Sequence, residues 1–289
     1  MIINLNVIIP TYNNIKGLQY LLDYFKDKNY QVIVVDNKMS VEKKDFITLL
    51  LHCYKNRMTY LPQEKNLGFA GGVNKGAKNV ETKWMLILND DIEFENSKIQ
   101  IPRSKQIPNS KLEIKNSEIL QKLIQFAEKN YFDAVTPVLR NPDGKVENFG
   151  YKVLPYGKIE LIRNSKQILN TKYEILNTNL DGLTAACLLI KTEVFKKLNG
   201  FDESFFAYLE DVDFFLRFKK AGYKMSIANV EVLHNHMTTT STMGNFKAKQ
   251  DMINWWRLFL KHPDKFKFNL AFIVERLRNV SRFIKASLK

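Results

Sequence analysis

Apolar runs and segments of helical spacing alternate through the first third of the chain. LNVIIP, YQVIVVDN and WMLIL are apolar almost without interruption, which is typical of strands buried on both faces. Between the first two runs, residues 15–26 repeat apolar side chains at the spacing of one helix face: Ile15, Leu18, Leu21, Leu22 and Phe25. Buried strands separated by helices predict an α/β fold with a mixed, mostly parallel sheet flanked by helices.

The rest of the chain continues this pattern with one interruption. Residues 118–129 and 192–198 are predicted helices. Residues 95–117 contain two prolines among Ser, Asn and Lys, and they are predicted to be an inserted surface loop. We expect one domain over residues 1–245, which includes that insertion, and a C-terminal basic helical segment over residues 246–289.

The strand at WMLIL ends abruptly in Asn89, Asp90 and Asp91, and Thr11 and Asp36 occupy the same place after the first two strands. Ligands of open α/β sheets bind beyond the carboxyl ends of the strands, so these five residues are expected to line one rim. Adjacent carboxylates on a rigid strand end suit a hard divalent cation. A solvated turn would also carry such acids, and the pair alone does not decide between the two.

Four glycines lie in NLGFAGGVNKG, which is expected to be a loop entering a helix. Glycine allows a close backbone approach, and the N–H groups at the start of a helix attract anions. The segment lacks the Gly-Lys-Ser/Thr ending of a P-loop, and it does not directly follow the first strand as a dinucleotide fingerprint does. Ordinary helix packing explains the glycines equally well.

A predicted helix begins with Glu210, Asp211 and Asp213 in its first turn and stops at Gly222. Acids in this position complement the helix dipole by about 0.3–1 kcal/mol each. A dense cluster of Phe and Tyr surrounds them in the sequence, and a carboxylate there also suits a general base.

Two histidines, His234 and His236, close a strand-like run near the end of the domain. A lone histidine is more often structural than a ligand. Beside an acid-rich rim, however, either histidine is a credible metal ligand.

Composition limits the partners. The 289 residues are 45% hydrophobic and carry a formal net charge of +14, which suits nucleic acid, an anionic membrane surface or phosphorylated small molecules. Cys53 and Cys187 lie far apart without ligand spacing, so neither a zinc site nor a disulfide framework is expected. No basic signal-peptide region precedes the first strand, and no apolar run approaches the roughly 18 residues that span a bilayer. A reduced cytoplasmic setting is expected.

The C-terminal segment is basic and has an apolar stripe at helical spacing: Ile273, Leu277, Val280, Ile284 and Leu288. Such a helix can lie on an anionic bilayer, where each basic residue contributes about 1 kcal/mol. The stripe can equally pack on the preceding domain with its charges in water. Both interpretations stay open on the residues alone.

Taken together and in order, the motifs VIIPTYN, VVDN, NLGFAGGVNKG, LILNDD, GFDESFFAYLEDVDFFLRFKKAGYK and VLHNH resemble family 2 glycosyltransferases of the GT-A fold. The pattern is most similar to the rhamnosyltransferase- and galactofuranosyltransferase-like branch, and it covers roughly residues 3–240. The resemblance implies that residues 1–245 form the catalytic domain, and that NDD is a variant of the family's DxD metal motif in which Asn89 replaces the first acid.

The resemblance also implies roles for individual residues. Asp211 matches the catalytic base. Asp91 and His234 match ligands of Mn²⁺ or Mg²⁺, with His236 as the alternative to His234. The residues that match the nucleotide-binding positions are Pro10, Thr11, Tyr12, Asp36, Asn66, Gly68, Asn74, Asn89 and Asp90. Those that flank the expected acceptor groove are Thr184, Phe206 and Glu210.

The implied activity is the inverting, metal-dependent transfer of a sugar from a UDP- or dTDP-linked donor to a hydroxyl group. The expected acceptor is a glycan or lipid-linked glycan of cell-surface polysaccharide synthesis, met at the inner face of the membrane. An inactive binding or scaffold module with this fold is the alternative, since Asn89 departs from the strict motif. A nucleic-acid-binding protein is disfavoured, because an acidic rim repels phosphates. A nucleotidylyltransferase is disfavoured too, because TYNN follows the first strand where that class has a basic Gly-rich loop.

Overall fold

A computed structural model describes residues 5–38, 40–54, 56–94, 119–148, 150–163, 180–235 and 244–288. The predicted insertion at residues 95–117 and the alternative metal ligand His236 lie outside the described residues.

The first half of the chain follows the predicted alternation of strands and helices. In chain order its elements are β1 (Leu5–Thr11), α1 (Ile15–Phe25), β2 (Gln31–Asp36), α2 (Val41–Tyr54), β3 (Met58–Pro62), α3 (Gly68–Ala77), β4 (Trp84–Leu88), β5 (Ile92–Glu93) and α4 (Ile119–Lys129).

The second half adds shorter strands and two long terminal helices. Its elements are β6 (Ala134–Arg140), β7 (Val146–Asn148), β8 (Tyr151–Leu154), β9 (Lys158–Leu161), β10 (Cys187–Lys191), α5 (Thr192–Lys197), α6 (Glu210–Lys220), β11 (Met225–His234), α7 (Phe246–Lys261) and α8 (Leu270–Ser287). A single 3₁₀ turn, Glu203–Phe205, precedes α6.

One mixed sheet forms the centre, with the described strands in the order β3-β2-β1-β4-β10-β6-β11-β5 and β7 added beside β6. Strands β1 to β4 run parallel to one another, as β6 and β11 do. Strand β10 lies antiparallel between β4 and β6. The predicted mixed, mostly parallel sheet is therefore confirmed, and the carboxyl ends of β1, β2 and β4 meet at one edge.

Apolar side chains cover both faces of this sheet, as the uninterrupted strand patterns require. Helices α1 and α4 pack on one face, and α3, α5 and α6 pack on the other. The second layer is rich in phenylalanine from α5 and α6, with Phe195, Phe214 and Phe218 in ring contact with their neighbours. With both faces covered, the carboxyl ends of the strands are the expected place for a site.

The glycine-rich segment differs from the expected loop, because α3 begins at Gly68 itself. Gly68 has a φ of +72°, and a Cβ atom there would collide with the backbone of Phe206. At Gly76 a Cβ atom would lie 2.5 Å from Cγ2 of Ile8 on β1. The glycines therefore let α3 pack closely against the sheet and against the segment before α6.

Helices α7 and α8 pack on the α6 side of the molecule. Trp255 and Leu258 of α7 share a buried apolar cluster with Leu209 and Val212 at the start of α6. The buried carboxylate of Asp213 connects α6 to the end of α7, since it pairs with Lys261 at 2.8 Å and with His262 at 2.9 Å. Within the described ranges, no helix combines the length and the apolar character needed to cross a membrane.

Candidate active site

A cavity of about 680 Å³ opens at the carboxyl edge of the sheet. Its floor is the end of β1 and β4, and its walls are the β8–β9 hairpin, the start of α6 and one side of α7 and α8. Residues of all the predicted motifs line it, although VVDN contributes Asn37 and not the predicted Asp36. The predicted site residues on its surface are Pro10, Thr11, Tyr12, Asn66, Gly68, Asn89, Asp90, Asp91, Thr184, Phe206, Glu210, Asp211 and His234.

Asp90 is fixed at the end of β4 by the loop that follows β1. Thr11 Oγ1 donates a hydrogen bond to Asp90 Oδ2 at 2.7 Å, and Asn14 Nδ2 donates to the backbone oxygen of Asp90 at 2.8 Å. Desolvation raises the pKa of Asp90 to about 7, with a smaller contribution from the neighbouring charge of Asp91. The loop after β1 thus fixes the position of Asp90.

Asp91 faces His234 at the end of β11. Asp91 Oδ1 and His234 Nε2 lie 3.2 Å apart, and His234 Nδ1 lies 2.7 Å from Glu147 Oε2 on β7. Burial opposes the charged imidazole, but the two carboxylates outweigh it and raise the pKa of His234 to about 9. Glu147 therefore orients the ring so that Nε2 points at Asp91, as second-shell carboxylates do for metal-binding histidines.

This pair fits a divalent cation. Two ligands of one octahedral ion with bonds near 2.1 Å are separated by about 3 Å, close to the observed Asp91–His234 distance. Asn89 Oδ1 is buried beside them and finds no hydrogen-bond partner among the described residues. No cluster of three or more His, Cys, Asp or Glu side chains suited to a metal occurs in the described ranges. Mg²⁺ usually takes only one or two protein carboxylates and completes its shell with water and phosphate oxygens.

Glu210 and Asp211 open α6 inside the same cavity. Desolvation raises the pKa of Asp211 to about 6, although the N–H groups of Val212 and Ala185 stabilise its charged form. Desolvation and the charge of Asp211 raise the pKa of Glu210 well above its usual range. An aspartate that titrates near neutral pH and is held by backbone donors has the properties of a general base.

The segment before α6 adopts a backbone that ordinary residues avoid. Phe206, Tyr208 and Leu209 all have φ between 57° and 67°. Asn254 of α7, fully buried, holds this segment, since its Nδ2 group donates to the carbonyl oxygens of Phe205, Ala207 and Tyr208 at 2.7–2.9 Å. Left-handed conformations of this kind persist only where the surroundings enforce them, and they cluster at functional sites.

Asp36, a predicted nucleotide contact, is fully buried beneath the rim. Its carboxylate accepts hydrogen bonds from Lys43 Nζ at 2.7 Å and from the Tyr60 hydroxyl at 2.9 Å. The neighbouring Asn37 lines the cavity and donates to the backbone oxygen of Gly68 at 3.0 Å. The contact of Asp36 with a base stays a prediction.

Asn74, another predicted nucleotide contact, joins α3 to the segment before the 3₁₀ turn. Its amide donates to Phe201 O at 2.8 Å and accepts from Phe201 N at 3.0 Å, and it also donates to Glu203. The side chain thus has partners within the protein, and its role at a nucleotide also stays a prediction.

Several cavity residues carry no sequence signal of their own. Glu147 follows the NPDG turn, Tyr151 lies in the β8 strand, and Arg276 and Asn279 belong to the terminal helix. The Tyr151 hydroxyl is buried without a hydrogen-bond partner in the described part of the chain, close enough to Asp211 and Glu210 for their charges to raise its pKa further beyond the effect of burial. The basic amphipathic pattern of the last helix was the one signal that pointed at Arg276.

Comparison with known proteins identifies two matching family models. The model described as "Glycosyl transferase family 2" matches residues 6–101. The model described as "N-terminal domain of galactosyltransferase" matches residues 172–241. Together these ranges hold the strand-end acids, the Glu210–Asp211 pair and His234.

Curated relatives are distant. The chain is 22% identical over 240 residues to the low-salt glycan biosynthesis hexosyltransferase Agl10 of Haloferax volcanii, covering 81% of this chain and 68% of that protein. It is 30% identical over 150 residues to the N-acetylglucosaminyl-diphospho-decaprenol L-rhamnosyltransferase of Mycobacterium tuberculosis, covering 44% of this chain and 49% of that protein.

The fold also matches solved structures. The mannosyltransferase PcManGT from Pyrobaculum calidifontis, solved in complex with GDP-Man and Mn²⁺, superimposes with a TM-score of 0.58 at 13% identity and covers 98% of this chain and 73% of that one. At this identity the likeness shows the fold, and it confirms the predicted GT-A class.

The pKa of His234 predicts a pH-dependent stability in protein treated with EDTA. Its folded value of about 9 lies above the ordinary value of about 6.5, so the folded state holds the proton more tightly. The stabilisation is fully present below pH of about 6.5 and disappears as the pH rises through about 9. Urea unfolding at a series of pH values should show a larger decline across this range for wild type than for His234→Gln. Identical pH profiles for the two proteins would contradict the ion-pair assignment.

Proposed function

We propose that the chain is an inverting family 2 glycosyltransferase that moves a sugar from a UDP- or dTDP-linked donor to an acceptor hydroxyl. The observation that carries the proposal is one cavity that holds both the Asp91–His234 pair and the partly desolvated carboxylate of Asp211. One acid is placed to bind a cation with the donor, and the other is placed to accept a proton.

Asp91 and His234 would hold Mn²⁺ or Mg²⁺ together with the donor diphosphate. A cation so bound stabilises the negative charge that develops on the leaving nucleoside diphosphate. The mannosyltransferase PcManGT supports this assignment only by its fold, since it was solved with GDP-Man and Mn²⁺. Asn89, with its buried and unsatisfied Oδ1, supplies a further oxygen beside the pair within the described residues.

Asp211 would take the proton of the acceptor hydroxyl as its oxygen attacks the anomeric carbon. The new C–O bond forms as the bond from that carbon to the diphosphate oxygen breaks, and the electron pair leaves with the diphosphate. Val212 N–H, which donates to Asp211 Oδ1 at 2.8 Å, fixes the orientation of the carboxylate. The carboxylate lines the cavity, where it would face the acceptor. The strained segment from Phe206 to Leu209 leads directly into the helix that carries Asp211.

A lipid-linked glycan is the acceptor class that we propose, and the last helix supports it. Apolar residues exposed in the structure recur along one face of α8: Leu270, Ile273, Val274, Leu277, Val280, Ile284 and Leu288. Arg278, Arg282 and Lys285 flank this stripe at helical spacing. An apolar stripe beside basic residues matches the surface of an anionic bilayer, so we place the protein at the membrane surface.

Nucleotide binding should depend on the metal and on Asp91. A pyrimidine diphosphate at about 100 times its dissociation constant should add about 2.7 kcal/mol of stability. We expect UDP or dTDP with Mn²⁺ to raise the melting temperature more than GDP or CDP, and we expect EDTA or Asp91→Ala to abolish the rise. Asp264→Ala, at an exposed position, is the control. A wild-type shift that is equal with Mn²⁺ and with EDTA would exclude the metal site.

Turnover should depend on Asp211. The isosteric Asp211→Asn variant should bind the nucleotide selected above as wild type does, but it should lose about 10²–10⁴-fold in transfer because general-base assistance is lost. The rate is measured as release of nucleoside diphosphate from the nucleotide sugar in the presence of a membrane lipid extract. Asp23→Asn, on the exposed side of α1, serves as the control. Unchanged turnover in Asp211→Asn would rule out this base.

Membrane binding should depend on the apolar stripe of α8. Leu277→Glu places a charge at its centre and should reduce co-sedimentation with vesicles that contain phosphatidylglycerol. Wild-type binding should weaken as salt rises, because the basic residues contribute. Tyr131→Glu, an exposed aromatic outside α8, is the matched control and should bind as wild type does. Equal loss in both variants would show that the stripe is not the contact.

A further inference from the structure

The end of the cavity formed by α8 contains a buried cation with unused donors. Arg276 is only 6% exposed, and its Nη2 group donates to the backbone oxygen of Gly157 at 2.5 Å. Its Nε and Nη1 groups have no hydrogen-bond partner in the part of the chain that the structure describes. Asn279, three residues on and 4% exposed, has an unpartnered Nδ2 group in the same described region. Both side chains line the cavity.

The side chains packed around Arg276 hold its guanidinium group in place but do not accept hydrogen bonds from Nε and Nη1. Its Cζ atom lies 4.5 Å from the ring centre of Trp255 and 4.7 Å from that of Phe272. Gly157, with a φ of +73°, brings the hairpin turn so close that a Cβ atom would lie 2.6 Å from Nη1. Aromatic rings attract the charge but accept none of its in-plane hydrogen bonds. A fixed guanidinium with free N–H groups is therefore presented to the cavity.

Nearby acids do not supply the missing partners. Glu275 forms its ion pair with Arg278 of the same helix. Asp251 of α7 lines the cavity, but among the described residues its carboxylate forms no ion pair with Arg276. Lys247, Arg282 and Arg276 all interact with the charge of Asp251, so three cations share that one acid. Buried charged donors are normally hydrogen-bonded. The Nε and Nη1 groups of Arg276, without partners among the described residues, therefore indicate a place for a ligand.

We propose that Arg276 and Asn279 bind a phosphoryl group of the acceptor substrate. The proposal rests on the transferase function and names the acceptor's chemistry more closely. A guanidinium fork with a neighbouring amide donor matches phosphate oxygens, and several further cations suit an anion of more than one charge. We assign the donor diphosphate to Asp91 and His234. The phosphoryl group at Arg276 and Asn279 therefore belongs to the acceptor.

The position on α8 also limits the source of the phosphoryl group. Arg276 and Asn279 face the cavity, whereas Leu277 and Val280 of the same helix are exposed. A phosphate that links a glycan to a lipid could therefore sit against the inner face while its hydrocarbon chain extends past the helix. A phosphate within a soluble glycan would use the same donors without the apolar contact.

The test measures anion binding apart from catalysis. Full-length protein in EDTA is titrated calorimetrically with inorganic phosphate, glycerol 3-phosphate, geranyl phosphate and glucuronate. We expect the phosphates to bind wild type, and Arg276→Gln to weaken them at least tenfold. Lys220→Gln, which removes an exposed cation of α6, should bind as wild type does. Tighter binding of geranyl phosphate than of glycerol 3-phosphate identifies a lipid source, and equal binding identifies a soluble one.

A second variant keeps the test decisive even if Arg276→Gln fails to fold. Asn279→Asp keeps the shape of the side chain and offers Arg276 a carboxylate, so it should remain folded and yet lose phosphate binding at least tenfold. UDP binding with Mn²⁺ should be unchanged in every variant. The proposal is overturned if Asn279→Asp binds phosphate as wild type does, if glucuronate binds more tightly than the phosphates, or if UDP with Mn²⁺ displaces phosphate competitively. A lack of nucleotide binding in wild type would instead contradict the transferase function.

Discussion

Desolvation of carboxylates that are held together in one cavity is the constraint on which the site depends. Asp90 and Asp91 end β4, while Glu210 and Asp211 begin α6, and all four line the same space. Burial raises the pKa of Asp90, Glu210 and Asp211. The fold tolerates this cost because rigid strand and helix ends fix the acids. Such an arrangement suits two functions, which are binding a cation and accepting a proton.

The sequence allowed the gathering of these acids to be predicted. Buried parallel strands place their carboxyl ends at one edge, so Thr11, Asn89 and Asp91 were expected to meet there, as they do. His234 was expected at the end of a strand, and β11 ends at that residue. The link between Asp91 and His234 followed from the family's motif, since 143 positions separate them and no local pattern connects them.

What escaped prediction depends on contacts between distant segments. Strand position placed Asp36 at the rim, but Lys43 on the following helix draws its carboxylate into a buried pair, and an acid after a strand is compatible with either outcome. Asn254 occupies an ordinary helical pattern, and only the folded chain shows that its amide meets three carbonyl groups. Glu147 and Arg276 likewise acquire their roles from the hairpin and the helix that bring them to the cavity.

The amide of Asn254 has a consequence for how such chains can recombine. Asn254 belongs to α7, whereas the backbone that it holds leads into Glu210 and Asp211 at the start of α6, so the two segments must match each other. A crossover between related genes near residue 245 would take the segment with α6 from one parent and the helix with Asn254 from the other. Exchange of the C-terminal helices would therefore alter the position of Asp211 along with one wall of the cavity, so changes in one segment are expected to require matching changes in the other.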